Sequence, residues 1–242
     1  MEAPRHPHPY PPLKGGGGVG TGVHIPDEAE AKALLAAAGL PVPPGKRVTS
    51  VEEAVTAVQS LGFPVALKAL GLAHKSERGA VRLNLRDVAA VREAANALAP
   101  LGSGLYVERM VTGAVDELIV GVTRDPIFGP VMTVGSGGVL VELLKDSATL
   151  LLPSSRAEIE AALRRLKLFP LLDGYRGRPR GDLTAAIDAI LGIAGFVGEH
   201  ADIIEELDIN PLIVCAEGKG AWIADALLVT AGATETRELE HV

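Results

Sequence analysis

The sequence predicts an α+β fold, with sheets covered by helices rather than one doubly wound parallel sheet. Helix-start signals recur along the chain, and strand-like apolar runs fall between them in mixed order rather than strict alternation. The last two runs are joined by "AEGKG", a glycine-bearing hairpin turn.

Taken in order, residues 1–22 are proline-rich and then glycine-rich. That composition cannot bury enough apolar surface to offset chain entropy, so a flexible tail is expected over 1–24, with His6 and His8 solvated in it. The folded body should start near Pro26. Asp27 with Glu30, Ser50 with Glu53, and Ser155 with Glu158 have capping-box spacing and open helices over 27–39, 50–62 and 155–167. Gly39 and Gly62 close the first two. Two more helices fit 87–99 and 182–200, the latter carrying "AILGIAGFV", which reads as a buried helix. Strands are expected at 64–69, 80–85, 105–111, 116–123, 129–134, 138–143, 206–214 and 221–229. The run "VRLNL" alternates and should present one solvated or ligand-facing side. The segment 170–182 is rich in Gly, Pro and Arg and should be an exposed loop.

Composition narrows the function. The 242 residues suffice for one large domain or two small ones, and 48% are apolar, which excludes a disordered chain. No stretch reaches the ~18 apolar residues of a membrane span. A net charge of −7 argues against a nucleic-acid surface, while a small anionic ligand needs only a few local donors. The lone Cys215 cannot form an intrachain disulfide and lies in the apolar run "PLIVCA", so a packed core thiol is expected rather than a nucleophile. A cytoplasmic location follows as the expectation.

Four features are able to carry chemistry. Lys68 ends the apolar run "VALKA"; it either snorkels to solvent or, standing just before a glycine-bearing loop, contacts a phosphate. Glu108 and Glu117 enter strand runs and need donors there, from a structural ion pair or from a ligand. Gly135, Gly137 and Gly138 permit a tight hairpin or close approach of a ligand, but they lack the strand–glycine–helix context of a dinucleotide or P-loop motif. Asp208 and Asn210 alternate with Leu207, Ile209 and Leu212, and Asp225 lies in the partner strand of the hairpin. Oxygen-only ligands of this kind suit a hard cation such as Mg2+ held together with phosphates, the plain alternative being a solvated sheet face.

In this order the residues meet a family. "EAKALLAAAGLPVP", "GFPVALKAL" with "HKSERGAV", "VERMV", "DELIVGVTRDPIFGPVMTVGSGGVLVELLKD", "FPLLDGYRG" and "EELDINPLIV" with "ADA" together resemble the β subunit of the NDP-forming, here ADP-forming, acyl-CoA synthetases, relatives of succinyl-CoA synthetases. The resemblance runs from about Pro26 to Val229. It implies an ATP-grasp fold, with two α+β lobes over 25–104 and 105–232 clamping ATP or ADP, and a C-terminal tail at 233–242. It implies that Lys68 contacts the nucleotide phosphates, Glu108 lies in the hinge that holds adenine, and Glu117 lies near ribose or phosphates. Gly135, Gly137 and Gly138 line the nucleotide pocket, Asn210 and Asp225 are the Mg2+ ligands, and Asp208 sits close to the transferred phosphate. His74, in "HKS", matches a second phosphoryl-carrying histidine.

The activity implied is an acid–thiol ligase reaction: acyl-CoA, ADP and phosphate give carboxylate, CoA and ATP through acyl phosphate and phosphohistidine. A CoA-binding α subunit is the implied partner, in an α2β2 or similar assembly. The chain departs from the family in having Gly79-Ala80 where Gly-Gly is usual and Leu227 where an arginine is frequent. A degenerate nucleotide-binding regulatory or scaffold module is the alternative; an ATP-grasp carboxylate–amine ligase ranks behind both, because it would lack the "HKS" loop.

Overall fold

The structure, a computed structural model, describes residues 22–72, 79–138 and 145–231. In chain order its principal elements are β1 (Val23–His24), α1 (Glu28–Ala37), β2 (Gly45–Val48), α2 (Val51–Leu61), β3 (Val65–Ala69), β4 (Val81–Leu85), α3 (Val88–Leu98), β5 (Leu105–Arg109), β6 (Ala114–Asp125), β7 (Gly129–Ser136), β8 (Ser147–Leu151), α4 (Arg156–Arg164), α5 (Phe169–Leu172), α6 (Leu183–Glu199), β9 (Ile204–Cys215), β10 (Ala221–Ile223) and β11 (Ala226–Ala231). All five expected helices form. Asp27 with Glu30 and Ser155 with Glu158 make complete capping boxes. The Ser50 hydroxyl caps the Glu53 amide, but the Glu53 carboxylate turns to the amide and hydroxyl of Thr49, so that box closes on its neighbour.

Two antiparallel sheets result. The small sheet has the order β2-β5-β3-β4, and the seven-stranded sheet runs β1-β11-β9-β6-β7-β8 with β10 paired to β9. The strand at the expected 104/105 lobe boundary, β5, pairs with β2 and β3 in the small sheet, so the chain crosses to the large sheet between Arg109 and Ala114. β1, β2 and β8 were not expected from the sequence. β1 and β2 are short, and β8 reads "SATLL", without a clean alternation. The strand expected over 221–229 breaks at Ala224-Asp225 into β10 and β11, both paired to β9. The strand expected at 138–143 lies, from 139 onward, outside the described residues, as do His6, His8 and the segment 233–242.

The apolar pattern decides which sheet face each helix covers. In the small sheet, Val65, Leu67 and Ala69 of β3 and Leu105 and Val107 of β5 pack with Ala54, Val58, Val91 and Leu98 of α2 and α3. Strand alternation then sends Lys68, Tyr106 and Glu108 to the opposite face. The large sheet turns Val120, Val122, Met132, Val134, Leu207 and Ile209 toward α1, α4 and α6. "AILGIAGFV" is the buried heart of α6, with Ile190 and Ile193 fully enclosed; burying each such side chain contributes about 1.5–3 kcal/mol. Cys215 is buried, as expected, and its thiol faces the Thr112 carbonyl at 3.7 Å.

One alternation is broken. Leu83 of "VRLNL" is 59% exposed instead of facing the core. The register of β4 slips by one residue against β3, and Asn84 takes φ +58°, a bulge that reverses the inward face at Leu83. No helix among the described residues is long and apolar enough to cross a membrane.

Candidate functional site

The inner face of the small sheet meets α1 and the β10–β11 connection at a buried cluster of charge. Lys68 Nζ donates to Glu28 Oε1 at 2.6 Å, to Glu108 Oε1 at 2.8 Å and to the Ala224 carbonyl at 2.7 Å. Lys32 Nζ donates to the other oxygen of Glu108 and to the same Ala224 carbonyl at 2.7 Å, and lies 3.8 Å from Glu28 Oε1. It also sits over the Tyr106 ring, 5.4 Å from the centroid. Lys32 is 0% exposed, Lys68 5%, Glu108 3% and Glu28 6%, so two cations and two anions share one dry site.

Lys68 therefore does not snorkel. Burial acts to lower its pKa, but the charges of Glu28, Glu108 and Asp225 outweigh it and raise it above the usual lysine value. Burial and the neighbouring Lys68 charge hold Lys32 below its ordinary value, against the pull of Glu108 and Glu28. Burial, followed by the Glu108 and Glu28 charges, pushes the Tyr106 phenol upward.

The cluster is continuous with the acidic strand face. Ala224 immediately precedes Asp225, whose carbonyl accepts from the Asn210 amide at 3.3 Å and whose Oδ1 accepts from the Ala226 amide at 2.8 Å. Asp208 stands opposite Gly121 on one side and Leu227 on the other. Its carboxyl pKa is raised by burial first, then by the charges of Glu206 and Asp225. Between Ile209 and Leu212 the strand carries one residue more than its partner segment of β6, so Asn210 and Pro211 both lie across from Ile119. This bulge keeps Leu212 in the core beyond the outward-facing Asn210, which strict alternation could not do.

Asp208 and Asn210 make no side-chain hydrogen bond among the described residues. Hard oxygen donors beside a carboxylate whose charge repels Asp208 fit a divalent cation such as Mg2+. No cluster of three or more His, Cys, Asp or Glu side chains suited to a metal occurs among the described residues, so protein ligation there would be sparse. Sparse ligation is what Mg2+ accepts when phosphates supply further oxygens.

Glu117 and the glycines form a third part. The Gly137 amide donates to the Glu117 carbonyl at 2.6 Å, and a Cβ at Gly137 would lie 2.7 Å from that oxygen, so only glycine fits. Gly138 takes φ +82°, the left-handed region that glycine enters without strain. The base of this turn is tied by Asp146, which accepts from the Ser136 hydroxyl and from the amides of Lys167 and Leu168. Among the described residues Glu117 makes no hydrogen bond or ion pair with Lys68, Asp208 or Asp225. His74 lies outside the described residues.

The sequence reading missed Glu28, Lys32, Tyr106, Ala224, Asp146 and Glu206. For the first two a signal was present: positions 28, 32 and 35 share a helix face, and Leu35 is core.

Two facing sheets with a lysine–carboxylate cluster and an oxygen-rich strand between them define a nucleotide-clamp architecture. The family model of the ATP-grasp domain matches residues 20–229, and the chain belongs to that family. It is 33% identical to the β subunit of ADP-forming acetate–CoA ligase II of Pyrococcus furiosus over 216 residues, covering 85% of this chain and 91% of that protein. It is 38% identical to ADP-forming acetate–CoA ligase II of Archaeoglobus fulgidus over 206 residues, but spans only 30% of that longer protein. Among solved structures, dinucleotide-forming acetyl-coenzyme A synthetase 1 of Ca. Korarchaeum cryptofilum, in complex with coenzyme A, Ca-AMPCP and HgCl+, superposes with a TM-score of 0.78 at 35% identity, covering 86% of this chain and 93% of that one. The same enzyme with coenzyme A and Mg-AMPPCP, its phosphohistidine segment pointing towards the nucleotide binding site, gives 0.73 at 36% identity, with 84% and 91% covered.

Proposed function

We propose that this chain is the nucleotide-binding β subunit of an ADP-forming acyl-CoA synthetase, which together with a CoA-binding α subunit converts acyl-CoA, ADP and phosphate into carboxylate, CoA and ATP. The observation that carries the reading is the continuity between Lys68 and Asp225 across the two sheets, through the Ala224 carbonyl. It brings a cation for phosphates beside oxygen donors for a metal, which phosphoryl transfer requires. The covering of nearly a whole β subunit in Pyrococcus furiosus supports a separate partner chain.

In this reading Lys68 binds and orients the nucleotide phosphates. Glu108 lies at the hinge beside adenine, Glu117 near the ribose or phosphates, and Gly135, Gly137 and Gly138 in the pocket wall. Asn210 and Asp225 hold Mg2+, which when bound supplies charge neutralisation for the phosphates. Asp208 stands near the moving phosphoryl group, and His74 carries it. A neutral imidazole nitrogen is nucleophilic at physiological pH and keeps a high transfer potential once phosphorylated. An α2β2 assembly completes the proposal.

The test is coupled ATP formation from acyl-CoA, ADP and phosphate by the chain co-expressed with its partner. Formation that disappears in Asp225→Ala supports the reading; its absence in a correctly assembled complex that binds nucleotide favours a regulatory module. One observation speaks for that second reading: Leu227, a side chain with no charge to offer a phosphate, lies opposite Asp208 and is 43% exposed.

A further inference from the structure

Lys68 is saturated. An ammonium group has three N–H donors, and Lys68 spends them on Glu28 Oε1, Glu108 Oε1 and the Ala224 carbonyl. A phosphate oxygen can gain one of these donors only by displacing one of these acceptors. Each acceptor displaced in a dry site must find another donor or stay costly. The same three groups are also within reach of Lys32, which already binds the second oxygen of Glu108 and the Ala224 carbonyl and lies 3.8 Å from Glu28 Oε1. Lys32 is fully enclosed, and among the described residues its charge is turned toward this cluster and the Tyr106 ring.

We propose that Lys32 is a stand-in cation: it takes over Glu28, Glu108 and the Ala224 carbonyl when Lys68 turns to the nucleotide phosphates, while Glu28 competes with those phosphates for Lys68. The inference rests on the reading of Lys68 as a phosphate contact. It makes Lys32 and Glu28 positioning residues that act through Lys68, on a helix that carries no other part of the site. Because the shared carbonyl precedes Asp225, Lys32 also keeps the start of the metal-ligand segment fixed during the exchange.

The two α1 residues then have opposite signs of effect, which a merely structural cluster would not show. Lys32→Met removes one of the two lysines that hold Glu108 and lie against Glu28, and should weaken Mg-ADP binding about tenfold or more. Glu28→Gln removes a competing anion and should tighten it by about threefold to tenfold. The double variant should return toward wild type, and Lys32→Arg should retain most of the affinity.

The experiment is isothermal titration of the full-length chain with Mg-ADP, with circular dichroism of every variant to verify folding. Tighter binding by Glu28→Gln supports the proposal, and unchanged or weaker binding overturns it, even if Lys32→Met fails to fold. Where Lys32→Met folds, affinity equal to wild type also overturns it. Lys68→Met separates the two layers: if it leaves Mg-ADP binding intact, the assignment of Lys68 to phosphates fails; if it abolishes binding while Glu28→Gln does not tighten it, only the stand-in role fails.

Discussion

Replacing Glu108 by Gln removes one of the two carboxylates that hold Lys32 and Lys68 in a dry site. Each ammonium loses a charged partner: Lys68 from 2.8 Å, and Lys32 from its contact with the other oxygen. Glu28 then remains at 2.6 Å from Lys68 and 3.8 Å from Lys32, with the charge of Asp225 also acting on Lys68. Breaking a buried pair by removing one member costs about 3–5 kcal/mol, because the partner stays charged and desolvated. At about 2–4 °C per kcal/mol for a domain of this size, the thermal midpoint should fall by roughly 6–20 °C. Far-UV circular dichroism measures the melt. A urea titration followed by Trp222, the single tryptophan and part of β10, reports whether the large sheet goes with it. A loss below about 1 kcal/mol would refute the reasoning, since it would mean that water screens the cluster as it screens surface pairs.

Asp146→Asn should destabilise the chain by about 2–4 kcal/mol, because a buried carboxylate that accepts from Ser136, Lys167 and Leu168 is lost. Burial works against the Asp146 charge, but the Lys167 amide, the Ser136 hydroxyl and the Leu168 amide outweigh it and hold its pKa below the usual carboxylate value. Its contribution is therefore present above the unfolded pKa and lost as pH falls through the folded one, so the gap between wild type and variant should narrow in acid; urea midpoints across an acid series measure it. Gly137→Ala places a Cβ 2.7 Å from the Glu117 carbonyl oxygen and should cost about 1–3 kcal/mol in urea unfolding, with weaker nucleotide binding. Burial, followed by the Asp182 charge, raises the Cys215 thiol pKa, so a thiol reagent should modify the native chain at least about 100-fold more slowly than the urea-unfolded one.

The helices were legible because their caps are local: Asp27 with Glu30, and Ser155 with Glu158, name their own boundaries. Most strands were legible as apolar runs, but Leu83 and Asn210 show the limit. Each lies at a bulge, and one extra residue in a strand reverses or delays alternation without leaving a mark in composition. β8 lacks a clean alternation in sequence, although its side chains swing between exposed and half-buried or buried against β7, and the break at Ala224-Asp225 is set by how β10 and β11 each pair with β9. At the site, Lys68 and Glu108 stood out as charges in apolar strands. Their mutual pairing did not, because it is set by the register that places Lys68 opposite Tyr106 and Glu108 opposite Ala66. Glu28 and Lys32 were hidden for another reason. A charged pair four residues apart in a helix usually lies on a solvated face, and only the docking of α1 between two sheets buries it.

Titration of the full-length chain with ADP in the presence and absence of Mg2+ tests the central claim most directly. The account predicts saturable binding that strengthens with Mg2+, and loss of that Mg2+ dependence in the variant carrying Asn210→Ala and Asp225→Ala. Failure of the wild-type chain to bind Mg-ADP, or Mg2+ dependence that survives in the double variant, would contradict it.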